Sequence, residues 1–290
     1  MDNNKYLIIN ADDFGVCPET NKAISELYQS KHITSVSIMP VATHIDEAID
    51  IAKKINMPVG IHWAFNSDYP DNPWKPIDTE AKSLVDESGH LSSTSYFAKH
   101  AKSKDVTREL IAQYLFLIDR GLNVEHADSH CGTVYGINGR GFFKNAFEVC
   151  QKYGLPFRFP NTFNFIGDYV SNMFLLKLVK VAYSFILKSA KRHKVKLINH
   201  MIANHRDIKD ISSYKDFENS YINDLRLVKP GITEFFTHPS YFSPAMAKYN
   251  GWNEIRGFDL EFLNSDKFAN TLKDEGIIPC SYGIFNEQPN

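Results

Sequence analysis

Two rhythms of apolar positions alternate along this chain. Short apolar runs closed by turn residues read as strands, and stretches with apolar residues every three to four positions read as helices. Residues 6–10 (YLIIN) form the first predicted strand, ended by turn residues at 11–15. Pro18 opens a helix through 29, with Ala23, Ile24, Leu27 and Tyr28 on one face. A strand at 35–39, a helix at 46–54 and a strand at 59–62 (VGIH) follow. A helix at 107–120 stops at Gly121 and leads to a strand ending near Asp128. Another at 142–153 stops at Gly154 and leads to a short strand at 157–159. Strands at 233–237 and 277–282 flank a helix at 266–275.

This alternation predicts βα units around a mainly parallel sheet. No stretch reads as an interdomain linker, repeat or low-complexity tract. Residues 1–290 are therefore expected to form one α/β domain, a (β/α) barrel-like fold with loop insertions. The insertions are placed at 66–104, with Pro70, Pro73 and Pro76, and at 161–205.

Composition narrows the class. Of 290 residues, 43% are hydrophobic and 23% charged, as in a folded globular protein. The 32 Lys and Arg against 34 Asp and Glu lack the basic excess of a nucleic-acid binder. Cys17, Cys131, Cys150 and Cys280 are scattered without a C-x-x-C pair, which predicts thiols rather than a disulfide framework. The N-terminus lacks signal-peptide architecture; the greasy stretch 173–187 is interrupted by Lys177 and Lys180 and is too short to span a bilayer. The expectation is a cytoplasmic enzyme without stable membrane insertion. Residues 172–196 predict a protruding helix that contributes to self-association as a homodimer, with a solvated basic end from Lys188 onward.

Barrel enzymes react at the C-terminal ends of their strands. Four such ends here carry Asp or His: Asn10-Ala11-Asp12-Asp13-Phe14-Gly15, Gly60-Ile61-His62, His126-Ala127-Asp128-Ser129-His130 and Thr237-His238-Pro239. Adjacent carboxylates are poor core residues, because unpaired buried charge is costly; a turn with Asp13 as a helix cap is the competing use. One carboxylate and two imidazoles leave open positions on a divalent metal, as catalytic sites do. A metal activates water and polarises a carbonyl; a second carboxylate can take the water's proton, and a separate His can protonate the leaving group. Asp12, Asp13, His62, His130 and His238 supply such a set and imply metal-assisted hydrolysis.

These motifs, in this order, resemble the YdjC-like carbohydrate deacetylase family, which includes chitooligosaccharide deacetylases. The resemblance runs from residue 5 to about 285. It implies a (β/α) barrel that removes the acetyl group from an N-acetylated sugar with one divalent metal, Zn2+ or Mg2+. By position it makes Asp13, His62 and His130 the metal ligands, Asp12 the general base and His238 the general acid. Arg158, in Leu155-Pro156-Phe157-Arg158-Phe159-Pro160, looks like the family's arginine and is expected to orient Asp12 or bind substrate. Trp63 and Trp74, with Phe65, are expected to stack on a sugar ring. His130 is followed by Cys131-Gly132-Thr133-Val134-Tyr135 where many members carry further histidines, so the neighbouring pocket differs. His126, nearer the start of its strand, reads as structural.

Two other functions compete. A glycoside hydrolase would use Asp12 and Asp128 as paired carboxylates, leaving His62 and His130 without work. A non-catalytic sugar-binding protein is opposed by the intact set of five polar residues.

Overall fold

The computed structural model describes residues 3–67, 73–137, 139–163, 173–204, 206, 208–247 and 253–287. Pro70 and His205, singled out within the predicted insertions, lie outside them.

Among the described residues seven strands, all paired in parallel, build one sheet: β1 (Lys5–Phe14), β2 (Ser35–Ile38), β3 (Val59–Trp63), β4 (Val124–Ser129), β5 (His200–Ile202), β6 (Gly231–Thr237) and β7 (Ile277–Cys280). Their order is β4-β3-β2-β1-β6-β5. One edge of β1 pairs with β6 from Lys5 to Ala11; the other is shared by β7 over Lys5 to Ile8 and β2 over Asn10 to Phe14. The predicted strand at 157–159 appears as a parallel bridge from Phe157 to Ala127 of β4 and to Leu197, just ahead of β5. Arg158 N–H donates to the Ala127 carbonyl at 2.9 Å and Phe157 N–H to that of Lys196 at 2.9 Å. These bonds curl the sheet towards closure, giving the α/β barrel-like fold.

The helices cover the outside: α1 (Pro18–Gln29), α2 (Ile45–Lys54), α3 (Thr94–His100), α4 (Ser103–Ile118), α5 (Phe143–Tyr153), α6 (Met173–Arg192), α7 (Tyr214–Arg226), α8 (Pro244–Ala247), α9 (Asn253–Leu263), α10 (Asp266–Asp274) and α11 (Ile284–Glu287). Cys17 caps α1, its Sγ accepting from Thr20 N–H at 3.5 Å. Gly154, in the left-handed region at φ 71°, ends α5 where no side-chain-bearing residue fits as easily.

Strand alternation separates two interiors. Leu7, Ile9 and Ala11 of β1 join the main core with Ala23, Ile24 and Leu27 of α1. The opposite face of the strands fills the barrel with buried polar side chains: Asn10, Asp12, Ser37, His126, Asp128 and Glu234. Ile8, Ile198, Ile232, Tyr282 and Phe285 form a separate apolar cluster at the N-terminal end of this interior. Gly60 belongs to the same packing: a Cβ there would stand 2.0 Å from the His126 ring. His126 in turn stacks on Tyr282, with ring centroids 3.8 Å apart.

Three departures from the expected elements have physical causes. β1 does not close at Asn10 but continues through the Asp pair to Phe14, because β2 pairs with it there. β5 is too short to register as an apolar run. The inner face of α9 carries Arg256 and Asp259, which interrupts its apolar periodicity.

Candidate active site

The end of β1 brings both aspartates to one place. Asp12 follows the inward alternation of Ile8 and Asn10, whereas Asp13 would point outward in a regular strand. A register shift against β2 between Ala11 and Phe14, with Asp13 at φ 65°, turns its side chain back over the strand ends. Aspartate tolerates this left-handed conformation better than most residues.

Asp13 Oδ1, His62 Nε2 and His130 Nδ1 then form a triangle. Oδ1 lies 3.5 Å from His62 Nε2 and 3.3 Å from His130 Nδ1, and the two nitrogens are 3.3 Å apart. All three residues are buried and their donor atoms converge as in a metal site. Oδ1 of Asp13 is buried without a well-formed hydrogen bond among the described residues. Metal bonds of about 2.0–2.2 Å in tetrahedral directions place ligand atoms roughly 3.3–3.6 Å apart, so the residues present fit a divalent ion. His62 Nδ1 is hydrogen-bonded to Asp128, which orients Nε2 towards the triangle, a recurrent carboxylate–imidazole support for metal ligands. Arg256 Nη2 holds the other oxygen of Asp13 at 2.5 Å. Burial works to raise Asp13, but Arg256, His130 and His62 outweigh it and keep the carboxyl ionised, well below the usual range. Asp12, His62 and Asp128 offer a second grouping, yet Arg158 already bonds both of its carboxylates.

Arg158 lies beneath the triangle and corrects one expectation. Its guanidinium donates to Asp12 twice, at 2.7 Å from Nη1 and 2.7 Å from Nη2. It also meets Asp128 at 2.8 Å and Glu234 at 2.8 Å. Only 3% of its side chain is exposed, so substrate contact gives way to holding Asp12. The same geometry opposes the paired-carboxylate glycosidase: Asp12 and Asp128 share one Nη2, and Asp128 is fully buried.

His238 Nε2 lies 3.8 Å from Asp12 Oδ2, with 38% of its side chain exposed. Partial desolvation pushes its pKa down from the ordinary imidazole value; Asp13 and Asp12 oppose this, and Arg256 and His62 reinforce it. The imidazole is therefore neutral at pH 7 in the free protein. Asp259 Oδ2 accepts the His238 backbone N–H at 2.8 Å, and Tyr221 donates to its other oxygen at 3.0 Å. Arg256 and Asp259, one helical turn apart on α9, were not visible as site residues in the sequence. Their signal is their spacing: two charged residues at i and i+3 on a face that must be buried.

The two tryptophans separate. Trp63 follows His62 on β3, so strand alternation sends it to the outer face. It is fully buried there, donates to the Leu110 carbonyl at 3.1 Å and packs on Phe157, a core role that replaces the expected sugar contact. Trp74 stays beside the site, its ring 5.9 Å from that of His130.

The chain is similar to known proteins in both sequence and fold. The family model described as YdjC-like protein matches residues 6–274. A carbohydrate deacetylase of Enterococcus faecalis is 25% identical, with 96% of this chain and 97% of that protein covered. One from Thermoanaerobacter pseudethanolicus is 23% identical, covering 97% and 99%. The crystal structure of a protein described as a cellobiose-phosphate cleavage protein, from E. faecalis V583, is similar at a TM-score of 0.76 and 25% identity, covering 97% of this chain and 99% of that one.

Proposed function

The chain belongs to the YdjC-like family, and on that premise we propose that it is a metal-dependent hydrolase removing the acetyl group from an N-acetylated sugar. The observation that carries this reading is the triangle of Asp13, His62 and His130 with Asp12 and His238 beside it. The names of its relatives support the sugar and the acetyl group. Asp13, His62 and His130 would hold the ion, and two imidazoles favour zinc over magnesium, which prefers oxygen shells. Bound there, the ion supplies Lewis acidity to the amide carbonyl and to the attacking water.

The protein's own groups handle the proton. Arg158 and Asn10 fix the Asp12 carboxylate, whose Oδ2 lies towards His238. Asp12 accepts the proton of the attacking water, and neutral His238 relays it through Nε2 to the departing amine nitrogen. Trp74 walls the pocket next to His130 and packs on the sugar. Residues 1–290 act as one domain in this reading.

N-acetylated mono- and oligosaccharides should release acetate, a chelator should abolish release, and added zinc should restore it. Sugar binding without acetate would make this a binding protein; cleaved glycosidic bonds would make it a glycosidase.

His238→Ala is expected to lower kcat by about 10²-fold or more with metal content unchanged. Since kcat/KM reports the free enzyme, its pH profile should carry no basic limb from His238. A basic limb near neutrality that disappears in His238→Ala would overturn the relay and make His238 a pre-protonated acid.

Metal uptake should also move a proton. Burial pushes His62 down, but Asp128, Asp12 and Asp13 outweigh it and raise the metal-free imidazole to about 9. Nε2 must be bare to bind a metal, so zinc uptake at pH 7 should release about one proton. Calorimetry in two buffers of different ionisation enthalpy measures that number; no release would overturn the protonated metal-free His62, and unchanged metal content in His62→Ala would remove it from the ligand set.

A further inference from the structure

We infer that α6 docks this protein onto an anionic bilayer surface, lying in the interface rather than crossing it. The helix runs from Met173 to Arg192 and packs through Tyr183 and Ala190, which are buried. Its outer side exposes Leu178 (53%), Val181 (56%) and Phe185 (63%). At 3.6 residues per turn these three fall within about 60° of one another, forming a continuous apolar stripe. Lys177, Lys180, Lys188, Lys191, Arg192 and Lys194 are exposed on and beyond the helix, and no Asp or Glu occurs between Met173 and Lys196. Lys177, Lys188 and Arg192 lie within roughly 75° of the centre of the stripe. An apolar strip edged by cations on one side of a helix is the arrangement of an interfacial anchor.

The charge distribution selects the occupant. A second copy docked by two-fold symmetry would set this cationic face against itself. A nucleic acid or acidic peptide would match the cations but leave Leu178, Val181 and Phe185 in water. An anionic lipid surface satisfies both, with headgroups on the lysines and acyl chains on the stripe. Among the described residues no helix is long and apolar enough to cross a membrane, consistent with a surface mode. The Tyr183 hydroxyl donates to the Pro160 carbonyl at 2.8 Å, which ties the middle of the helix to the segment that carries Arg158.

Vesicle flotation of the full chain tests this, using phosphatidylcholine with and without phosphatidylglycerol. Binding is expected only with phosphatidylglycerol and is lost in 1 M salt, where the Debye length is about 3 Å. The triple change Lys177→Glu, Lys188→Glu and Arg192→Glu should weaken binding by roughly 100-fold or more; Phe185→Gln should weaken it about tenfold. Thermal melts check that these surface variants stay folded. Equal binding to both vesicle types, or wild-type binding by the triple variant, overturns the inference. So does a concentration-dependent dimer that dissociates in Phe185→Gln while vesicles bind neither protein, which would give the stripe to a second copy.

Discussion

Asp12→Asn is expected to keep its metal and to lose about 10²–10⁴-fold in turnover, the usual range for removing a positioned base. The amide nearly matches the carboxylate in shape but cannot accept the proton of water. It also meets Arg158 imperfectly, because two guanidinium donors face the two Asp12 oxygens and an amide NH2 cannot accept from either. A fall in stability of about 1–3 kcal/mol should accompany the lost rate. Metal content separates a base from a merely structural residue: it should stay near wild type in Asp12→Asn and fall in Asp13→Asn, where a charged oxygen in the triangle becomes neutral. Excess metal should rescue part of the Asp13→Asn activity and none of the Asp12→Asn activity. Metal lost from Asp12→Asn and kept by Asp13→Asn would exchange the two roles. Two fully active variants would end the mechanism.

Arg158→Met is the most destructive change foreseen for the fold. One buried guanidinium faces Asp12, Asp128 and Glu234, and its removal leaves three carboxylates without their cation. Breaking a buried ion pair from one side costs about 3–5 kcal/mol, on the order of 10 °C in Tm for a chain of this size. The loss should depend on pH. Burial works to raise Asp128, but in the intact protein Arg158, His62 and His126 hold it well below the usual carboxylate range. A carboxyl held low contributes stability that is present above its unfolded pKa and is lost as pH falls through its folded value. Without Arg158 the burial that works to raise Asp128 and Glu234 loses its main opponent. A carboxyl raised above its unfolded value costs stability increasingly as pH rises past that value, so the variant's deficit should be larger at pH 8 than at pH 5. Adding Glu234→Gln should recover part of the loss, because it removes one of the stranded charges. A melting temperature within about 2 °C of wild type would show that the network is not held together by Arg158.

Much of the architecture was readable along the chain. The helix from Pro18 to Gln29 runs where its Pro start and apolar face place it, and the strands end at Trp63, Ser129 and Thr237, within one residue of the expected His62, Asp128 and Thr237. Trp63 was readable too, and its expected sugar contact missed the signal. Its neighbour His62 faces the site, and one step along a strand reverses the side chain. The segment around Arg158 was harder, since Phe157 pairs on both sides without a strand long enough to show a period.

What the sequence determined by itself is local: the alternation of strands and helices, and which residue types stand at each strand end. A few consecutive backbone dihedrals set those periods, so neighbouring residues suffice to reveal them. The tertiary structure decided which of those groups meet. Asp13 enters the triangle only because β2 pairs with β1 through a register shift that puts Asp13 at a positive φ. Arg158 becomes a buried hub only because the sheet curls and brings Asp12, Asp128 and Glu234 around it. Arg256 reaches Asp13 from a helix 243 positions away in the chain. Register and curvature depend on strands far apart in sequence, and the charges they bring together must balance once water is excluded.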